Sequence, residues 1–418
     1  MDIDTLRPVA EKLFAEIRAL SFDGVGISRD SYGDKESATA DYLSAFAEEN
    51  GLQTWRDRAA NLRIGLPDAP ADSPVIWCGS HIDSVPQGGN FDGLAGVTAG
   101  LLCLLSQQRS GCRSPLPLQV IGLRGEESAW FGKAYMGSSA LLGKLDAEDL
   151  ALRRRGKGET LGEAMQRVGA DIDAIRAQQR LFDPHKVRAF LELHIEQGPV
   201  MEARKLPVAV VSGIRGNIRH GHMQCLGEAG HSGTIPRWLR RDAVFAVSDL
   251  IMRLDEHWSE LLERGTDLVV TIGMLSTNAA EHAASRIPGQ VTFSFEARSK
   301  SLDTLEAFYQ LMRAECAAIT RERQVHFEFG RRILSSPATM DAALSDLLLK
   351  VCASQNIPCE LIPSGAGHDS AMFANAGIPS AMLFVRNQHG SHNPEEAMDL
   401  DDFMLGAAAL DQAIHEIR

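Results

Sequence analysis

Long apolar runs are missing from this chain: no stretch of its 418 residues approaches the ~20 uninterrupted apolar positions a membrane-spanning helix needs. Its start, Met1-Asp2-Ile3-Asp4-Thr5, also lacks a basic segment followed by an apolar one, the pattern of a secretory signal. A cytoplasmic protein with no membrane partner is the expectation. Cysteine is sparse and scattered, with seven residues (Cys78, Cys103, Cys112, Cys225, Cys316, Cys352 and Cys359), and none forms a Cys-x-x-Cys pair. That spacing speaks against a zinc knot or a disulfide framework, so reduced and mostly buried thiols are expected. Positive charge is short as well. A formal net charge of −13 leaves the average surface unattractive to nucleic acid or an anionic membrane.

What is present is an ordinary globular composition, 44% hydrophobic and 23% charged, in a chain long enough to split into two cores. The most informative stretch runs from Gly79 to Gly93 and reads Gly-Ser-His-Ile-Asp-Ser-Val-Pro-Gln-Gly-Gly-Asn-Phe-Asp-Gly. It follows the short apolar run Val75 to Gly79, a buried strand by pattern, and precedes Leu94 to Leu105, a buried helix whose start Asp92 is placed to cap. Three further apolar strands end in the same way. Leu118 to Leu123 runs into Glu126 and Glu127, Ala189 to Ile195 carries His194 and leads to Glu196 and Gln197, and Ser380 to Val385 leads to His389 and His392. Open α/β sheets place their ligands at the carboxyl ends of strands, where these acids and imidazoles fall.

The rest is scaffold. Helical spacing marks Thr5 to Leu20, Glu36 to Asn50, Ala342 to Gln355 and Asp402 to Ile417, and Leu62 to Leu66 is a further strand. Charged helical segments between Asp146 and Arg180 read as surface helices. From Ser212 the pattern changes: a strand over Arg219 to Glu228, a helix over Pro236 to Glu263, a strand over Asp267 to Leu275, alternating Val291 to Glu296, a helix over Leu302 to Arg323 and alternating Val325 to Phe329. This β-α-β-β-α-β order is ferredoxin-like. The expected architecture is therefore α/β: a mixed-sheet catalytic domain from 1–211 and 331–418, with an inserted α+β domain from 212–330. Carboxylates mixed with imidazoles suit zinc, manganese, cobalt or nickel better than calcium or magnesium.

Taken together, the motifs Gly79-Ser80-His81-Ile82-Asp83-Ser84, Gly88 to Gly93, Glu126-Glu127, Leu193 to Pro199, Gly230 to Pro236 with Arg241-Asp242-Ala243, and Gly390 to Glu396 carry a family likeness. Over essentially its whole length the chain resembles the di-metal superfamily of aminoacylases and carboxypeptidase G-type metallopeptidases. Within it the match is to the hydantoinase/carbamoylase branch, which holds N-carbamoyl-L-amino acid hydrolases, β-ureidopropionases and allantoate amidohydrolases. The resemblance implies two divalent ions per subunit, zinc first. His81, Asp92 and His194 would hold one, Asp92, Glu127 and His392 the other, with Asp92 as the bridge. It further implies that Asp83 orients His81, that Glu126 is the general base, and that the inserted domain serves as lid and dimer interface. His231 would then act in the partner's site, Gln197 beside the scissile group, and Arg298 on the substrate carboxylate.

The departures fall on substrate-facing positions. Ser285 stands where the family has an asparagine, Glu296 replaces an aspartate, and Ser128-Ala129-Trp130 replaces Gly-Ser-Arg. The implied reaction is hydrolysis of an N-carbamoyl C–N bond on a small carboxylate-bearing compound. A dipeptidase or N-acyl amino acid hydrolase using the same centre is the nearest alternative, and a non-catalytic metal-containing binding protein a remote one.

Overall fold

The computed structural model describes residues 1–70, 73–156 and 158–418. They form two compact units, Met1–Gly213 with Thr339–Arg418, and Ile214–Ala338. The second begins and ends later than the pattern change in the sequence suggests. The reason at its far end is the strand Arg332–Ser335, which pairs with Gly216–Leu226 and so stays with the second unit past residue 330.

In the first unit an eight-stranded mixed sheet has the spatial order Gln53–Arg56, Leu62–Gly65, Leu118–Leu123, Val75–His81, Val187–Ile195, Ser380–Val385, Val208–Ile214 and Leu361–Ser364. The four strands from Leu118–Leu123 to Ser380–Val385 are mutually parallel, and their outer neighbours Leu62–Gly65 and Val208–Ile214 are antiparallel. The parallel strands are apolar runs because both sheet faces are covered. Ile76, Cys78, Val120 and Leu191 face a core shared with helices Ile3–Ser21, Leu94–Ser110 and Leu400–Glu416. Trp77, Ile121, Leu123 and Phe190 face a second core on the other side.

That second core corrects the expectation of surface helices between 146 and 180. Helices Ala147–Leu150, Leu161–Arg167 and Ile172–Arg176 are short, and their start residues Asp146, Thr160 and Asp171 accept backbone N–H groups. They bury Leu150, Leu161, Met165, Ile172 and Ile175. Two turns or fewer give too little periodicity for a buried stripe to show among charged residues.

In the second unit the antiparallel sheet has the order Leu275–Thr277, Gln290–Ser299, Gly216–Leu226, His326–Phe329, with Val269–Thr271 also on Gln290–Ser299. Helices Ala243–Glu263 and Leu302–Arg323 complete a β-α-β-β-α-β order. Two local expectations change. The first helix starts at Ala243, where Asp242 accepts the Val244 and Phe245 amides, and Arg237–Leu239 is a separate 3-10 turn. The strand expected over Asp267 to Leu275 is two pieces, interrupted around Gly273. Along Gln290–Ser299 buried and half-buried residues alternate, so one face packs on the helices. Among the described residues no helix is long and apolar enough to cross a membrane.

Candidate active site

Four loops leave the parallel strands at their carboxyl ends and meet in the first unit. His81 is the last residue of Val75–His81, His194 the last but one of Val187–Ile195. Asp92 does not cap the following helix. Gly93, at φ 69°, takes the N-cap position, and a Cβ there would come within 2.5 Å of the His81 ring. Only glycine lets the helix start this close to the imidazole.

The buried Asp92 carboxylate, turned away from the helix, is the centre of the site. Its Oδ1 lies 3.3 Å from His81 Nε2 and 3.2 Å from His194 Nε2, and those two nitrogens are 3.4 Å apart. Its Oδ2 lies 3.4 Å from His392 Nε2, which is itself 3.2 Å from Glu127 Oε1. Two ligand groups, His81-Asp92-His194 and Asp92-Glu127-His392, therefore share one carboxylate.

The far ring nitrogens are committed elsewhere. His81 Nδ1 faces Asp83 Oδ1 at 3.3 Å and the Asp83 carbonyl at 3.1 Å, and His194 Nδ1 faces the Ile195 carbonyl at 2.9 Å. With only acceptors there, Nδ1 carries the hydrogen and Nε2 turns its lone pair inward, where that of His194 also meets the Gly93 amide at 3.2 Å. Asp92 Oδ1, buried and without a hydrogen-bond donor, completes a set of inward lone pairs that fits a divalent cation.

Without a cation, protons supply the positive charge. Burial opposes charge on His81 and His194, but Asp83 and then Asp92 at His81, and Asp92 at His194, outweigh it and raise both above the ordinary histidine range. Asp92 and Glu127 push His392 up to about 11. Burial would raise Asp92, yet the three imidazoles hold it well below the usual carboxylate range. A metal must displace these protons, so apparent affinity should climb with pH through the range in which the imidazoles deprotonate. Calorimetry in two buffers of different ionisation enthalpy checks this: the observed heat should differ between buffers, and identical heats would contradict it.

Glu126 and Glu127 leave Leu123 on a backbone held at each step. The amides of Arg124, Gly125, Glu126 and Glu127 donate in turn to Asn61 Oδ1 (2.9 Å), Glu36 Oε1 (2.9 Å), Asp83 Oδ1 (3.0 Å) and Asp83 Oδ2 (3.1 Å). Asp83 thus holds the backbone of both glutamates as well as facing His81, and it accepts Ser31 Oγ at 2.6 Å. The Glu126 carboxylate has no hydrogen-bond partner among the described residues, and burial pushes it well above the ordinary range, against the pull of His81. A carboxylate so placed is suited to take up a proton. Asp83→Asn keeps the shape but loses one acceptor. It should weaken metal binding by about 10–100-fold, read by titration of metal-free protein.

Gln197, in left-handed conformation at φ 63°, donates from Nε2 to Asp92 Oδ2 at 2.6 Å and lies 3.4 Å from His392 Nε2. His392 and His389 are left-handed too, at φ 61° and 64°. Such strain collects where geometry is imposed by function. Glu196 is not a ligand: its carboxylate accepts the Val200 and Met201 amides and starts the helix Val200–Arg204. His389 is exposed. Glu192, His194 and His368 form another possible ligand group, but Glu192 is taken by Ser80 and Ser370, and His368 Nε2 meets Ser364 Oγ at 2.9 Å. They make a hydrogen-bonded layer beneath the site.

His231, Ser285 and Arg298 belong to the second unit. His231 is exposed on the two-residue strand Gly230–His231, which pairs with Arg286–Ile287, and its Nδ1 accepts the Gly233 amide at 3.1 Å. The Ser285 carbonyl accepts the Ser232 amide at 2.8 Å, fastening it to the same turn. Arg298 donates to Glu296 Oε1 at 3.1 Å.

Sequence reasoning missed Asn61, Glu36, Ser31 and Arg29. The Arg29 guanidinium is buried, with Nε on the Ile82 carbonyl at 2.7 Å, and braces the loop that carries Asp83.

Peptidase family M20/M25/M40 matches residues 77–416. The chain belongs to that family. As a family M20 protein it is a hydrolase of carbon–nitrogen bonds, and the α/β architecture with a mixed sheet is the family's. It is 33% identical over 393 residues to the N-carbamoyl-L-amino acid amidohydrolase of Geobacillus stearothermophilus, covering 94% of this chain and 93% of that one. To the allantoate amidohydrolase of Escherichia coli it is 28% identical over 394 residues, with 94% and 93% covered. The solved structure of a hydantoinase/carbamoylase family amidase from Burkholderia multivorans matches with a TM-score of 0.88 at 26% identity, covering 98% of this chain and 97% of that one.

Proposed function

We propose that this chain is a two-metal amidohydrolase that cleaves the carbamoyl C–N bond of a small carboxylate-bearing substrate, such as an N-carbamoyl-L-amino acid or allantoate. The observation that carries the reading is Asp92, whose two oxygens face two separate ligand groups with Glu126 emerging beside them. Two divalent ions, zinc first and manganese, cobalt or nickel next, would supply Lewis acidity and lower the pKa of a water between them. Full-length similarity to carbamoyl and allantoate hydrolases supports the substrate class.

In this reading Glu126 takes the proton of the attacking water and passes it to the leaving nitrogen. Asp83 keeps His81 in the tautomer that offers Nε2. Gln197, held against Asp92, presents its amide to the ureido group. Arg298 binds the substrate carboxylate, with Ser285 in place of the usual asparagine beside it. His231 stabilises the oxyanion in the partner's site of a homodimer joined through the second unit. A carbamoyl substrate and water yield an amine, carbon dioxide and ammonia. The reaction is placed in the cytoplasm.

Ammonia release from N-carbamoyl amino acids and allantoate, measured beside cleavage of dipeptides and N-acyl amino acids with each of the four metals, tests the reading. Turnover of at least one ureide above all the amides is expected. Cleavage of dipeptides with no ammonia from any ureide would replace it with a peptidase.

A further inference from the structure

Glu396 lies four residues beyond His392, is buried, and reaches none of the ligand nitrogens. Its carboxylate does three other things. Oε1 accepts the Phe91 amide at 2.8 Å and the Asp92 amide at 3.3 Å, and Oε2 lies 2.5 Å from Ser391 Oγ. Ser391 Oγ is in turn 2.6 Å from Asp92 Oδ2. The bridge is thus gripped at its backbone and, through one hydroxyl, at its carboxylate. The serine that makes the second link is the neighbour of His392, the exposed imidazole of the other ligand group.

The seat of Glu396 is shaped for it. A Cβ built on Gly89 would collide with the Glu396 carboxyl group, so the loop 88–92 closes on this side chain only because residue 89 is glycine. Asp92 and His392 are 300 residues apart in sequence and sit on loops leaving different strands. Besides the ligand His392 itself, Glu396 and Ser391 tie the 391–396 loop to the backbone and carboxylate of residues 91 and 92.

We infer that Glu396 is a positioning residue for the two-ion centre, clamping the Asp92 loop to the His392 loop so that the shared carboxylate and the distal imidazole face one another. This rests on the two-metal reading of the site. Ser391 has one O–H for two carboxyl oxygens; glutamine, which retains an oxygen for the Phe91 amide and donates an N–H to Ser391 Oγ, leaves that O–H to Asp92 Oδ2 and should largely preserve the clamp.

Three variants of the full chain, Glu396→Ala, Glu396→Gln and Ser391→Ala, are titrated with zinc after metal removal, and cobalt absorption spectra are recorded for each. Loss of an outer hydrogen-bond partner typically costs 10–100-fold in metal affinity. Glu396→Ala is therefore expected to weaken binding by about 10–100-fold and to alter the cobalt spectrum, with Glu396→Gln restored to within a few-fold of native. Ser391→Ala, which removes a single hydroxyl and spares the backbone clamp, should weaken binding by less than Glu396→Ala; it also covers the case in which Glu396→Ala does not fold. Native affinity and spectrum in both alanine variants would overturn the inference, as would a Glu396→Gln variant as impaired as Glu396→Ala. A native protein that takes up no divalent ion would sink the two-metal reading itself, an outcome separate from failure of the clamp.

Discussion

Glu126→Gln is expected to lower kcat by about 10²–10⁴-fold while leaving metal uptake at the native stoichiometry. The substitution removes the one function assigned to this carboxylate and little else. Its backbone amide remains on Asp83 Oδ1, and no described residue donates a hydrogen bond to its side chain, so no packing or network contact is forfeited. Steady-state kinetics on the best ureide, with metal analysis of the same preparation, separates the outcomes. A variant that keeps both ions and loses turnover supports proton transfer. One that loses its ions would recast Glu126 as a ligand, and one that retains full activity would remove it from the mechanism.

Asp92→Asn should have the other large effect, because one residue serves both ligand groups. Loss of the bridging charge removes an anionic oxygen from each group at once, so both affinities should fall by more than the ~10–100-fold typical of an outer partner, and turnover should fall with them. Metal-free protein offers an independent check. Burial already works against charge on His81 and His194; Asp92 overcomes it at His194, Asp83 together with Asp92 at His81, and His392 is raised first by Asp92. With that charge gone, the three imidazoles should release their protons at lower pH than in the native protein, visible as a downward shift of their NMR titrations. Unchanged titrations would show that Asp92 does not dominate the site's electrostatics.

The parts of this site visible in the sequence are those that sit next to a strand. His81, His194 and Glu127 each close or follow an apolar run of the kind buried on both faces in a parallel sheet, and the run itself announces where its polar end will fall. What ties one strand exit to another was hidden. Asn61, Glu36 and Asp83 each accept an amide from the stretch 124–127, yet no local pattern relates a helix at Glu36 or a strand end at Asn61 to a loop tens of residues away. Glu396 was visible as part of a motif but without a task, since its partners lie some 300 residues earlier. The role expected of Asp92 as a helix cap failed for a related reason. A side chain can serve its own helix or three distant imidazoles, and the charge of the imidazoles decides.

Family membership and the sequence motifs point to one chemistry, whereas two of the residues proposed to face the substrate, Ser285 and Arg298, belong to the second unit. Ser285 is fastened to the His231 turn through its main chain, which leaves its hydroxyl to differ from asparagine in reach and in the number of donors. Ser285→Asn is accordingly expected to change KM across a panel of ureido acids more than kcat. Equal effects on both parameters for every substrate would place Ser285 outside substrate recognition.

The most direct measurement of the central claim is an anomalous difference map from crystals of the protein grown with zinc or manganese. Two peaks about 3.5–4 Å apart, on either side of Asp92, are predicted, one with His81 and His194 and the other with Glu127 and His392. A single peak, or density among Glu192, His194 and His368 in place of the shared Asp92 site, would contradict it.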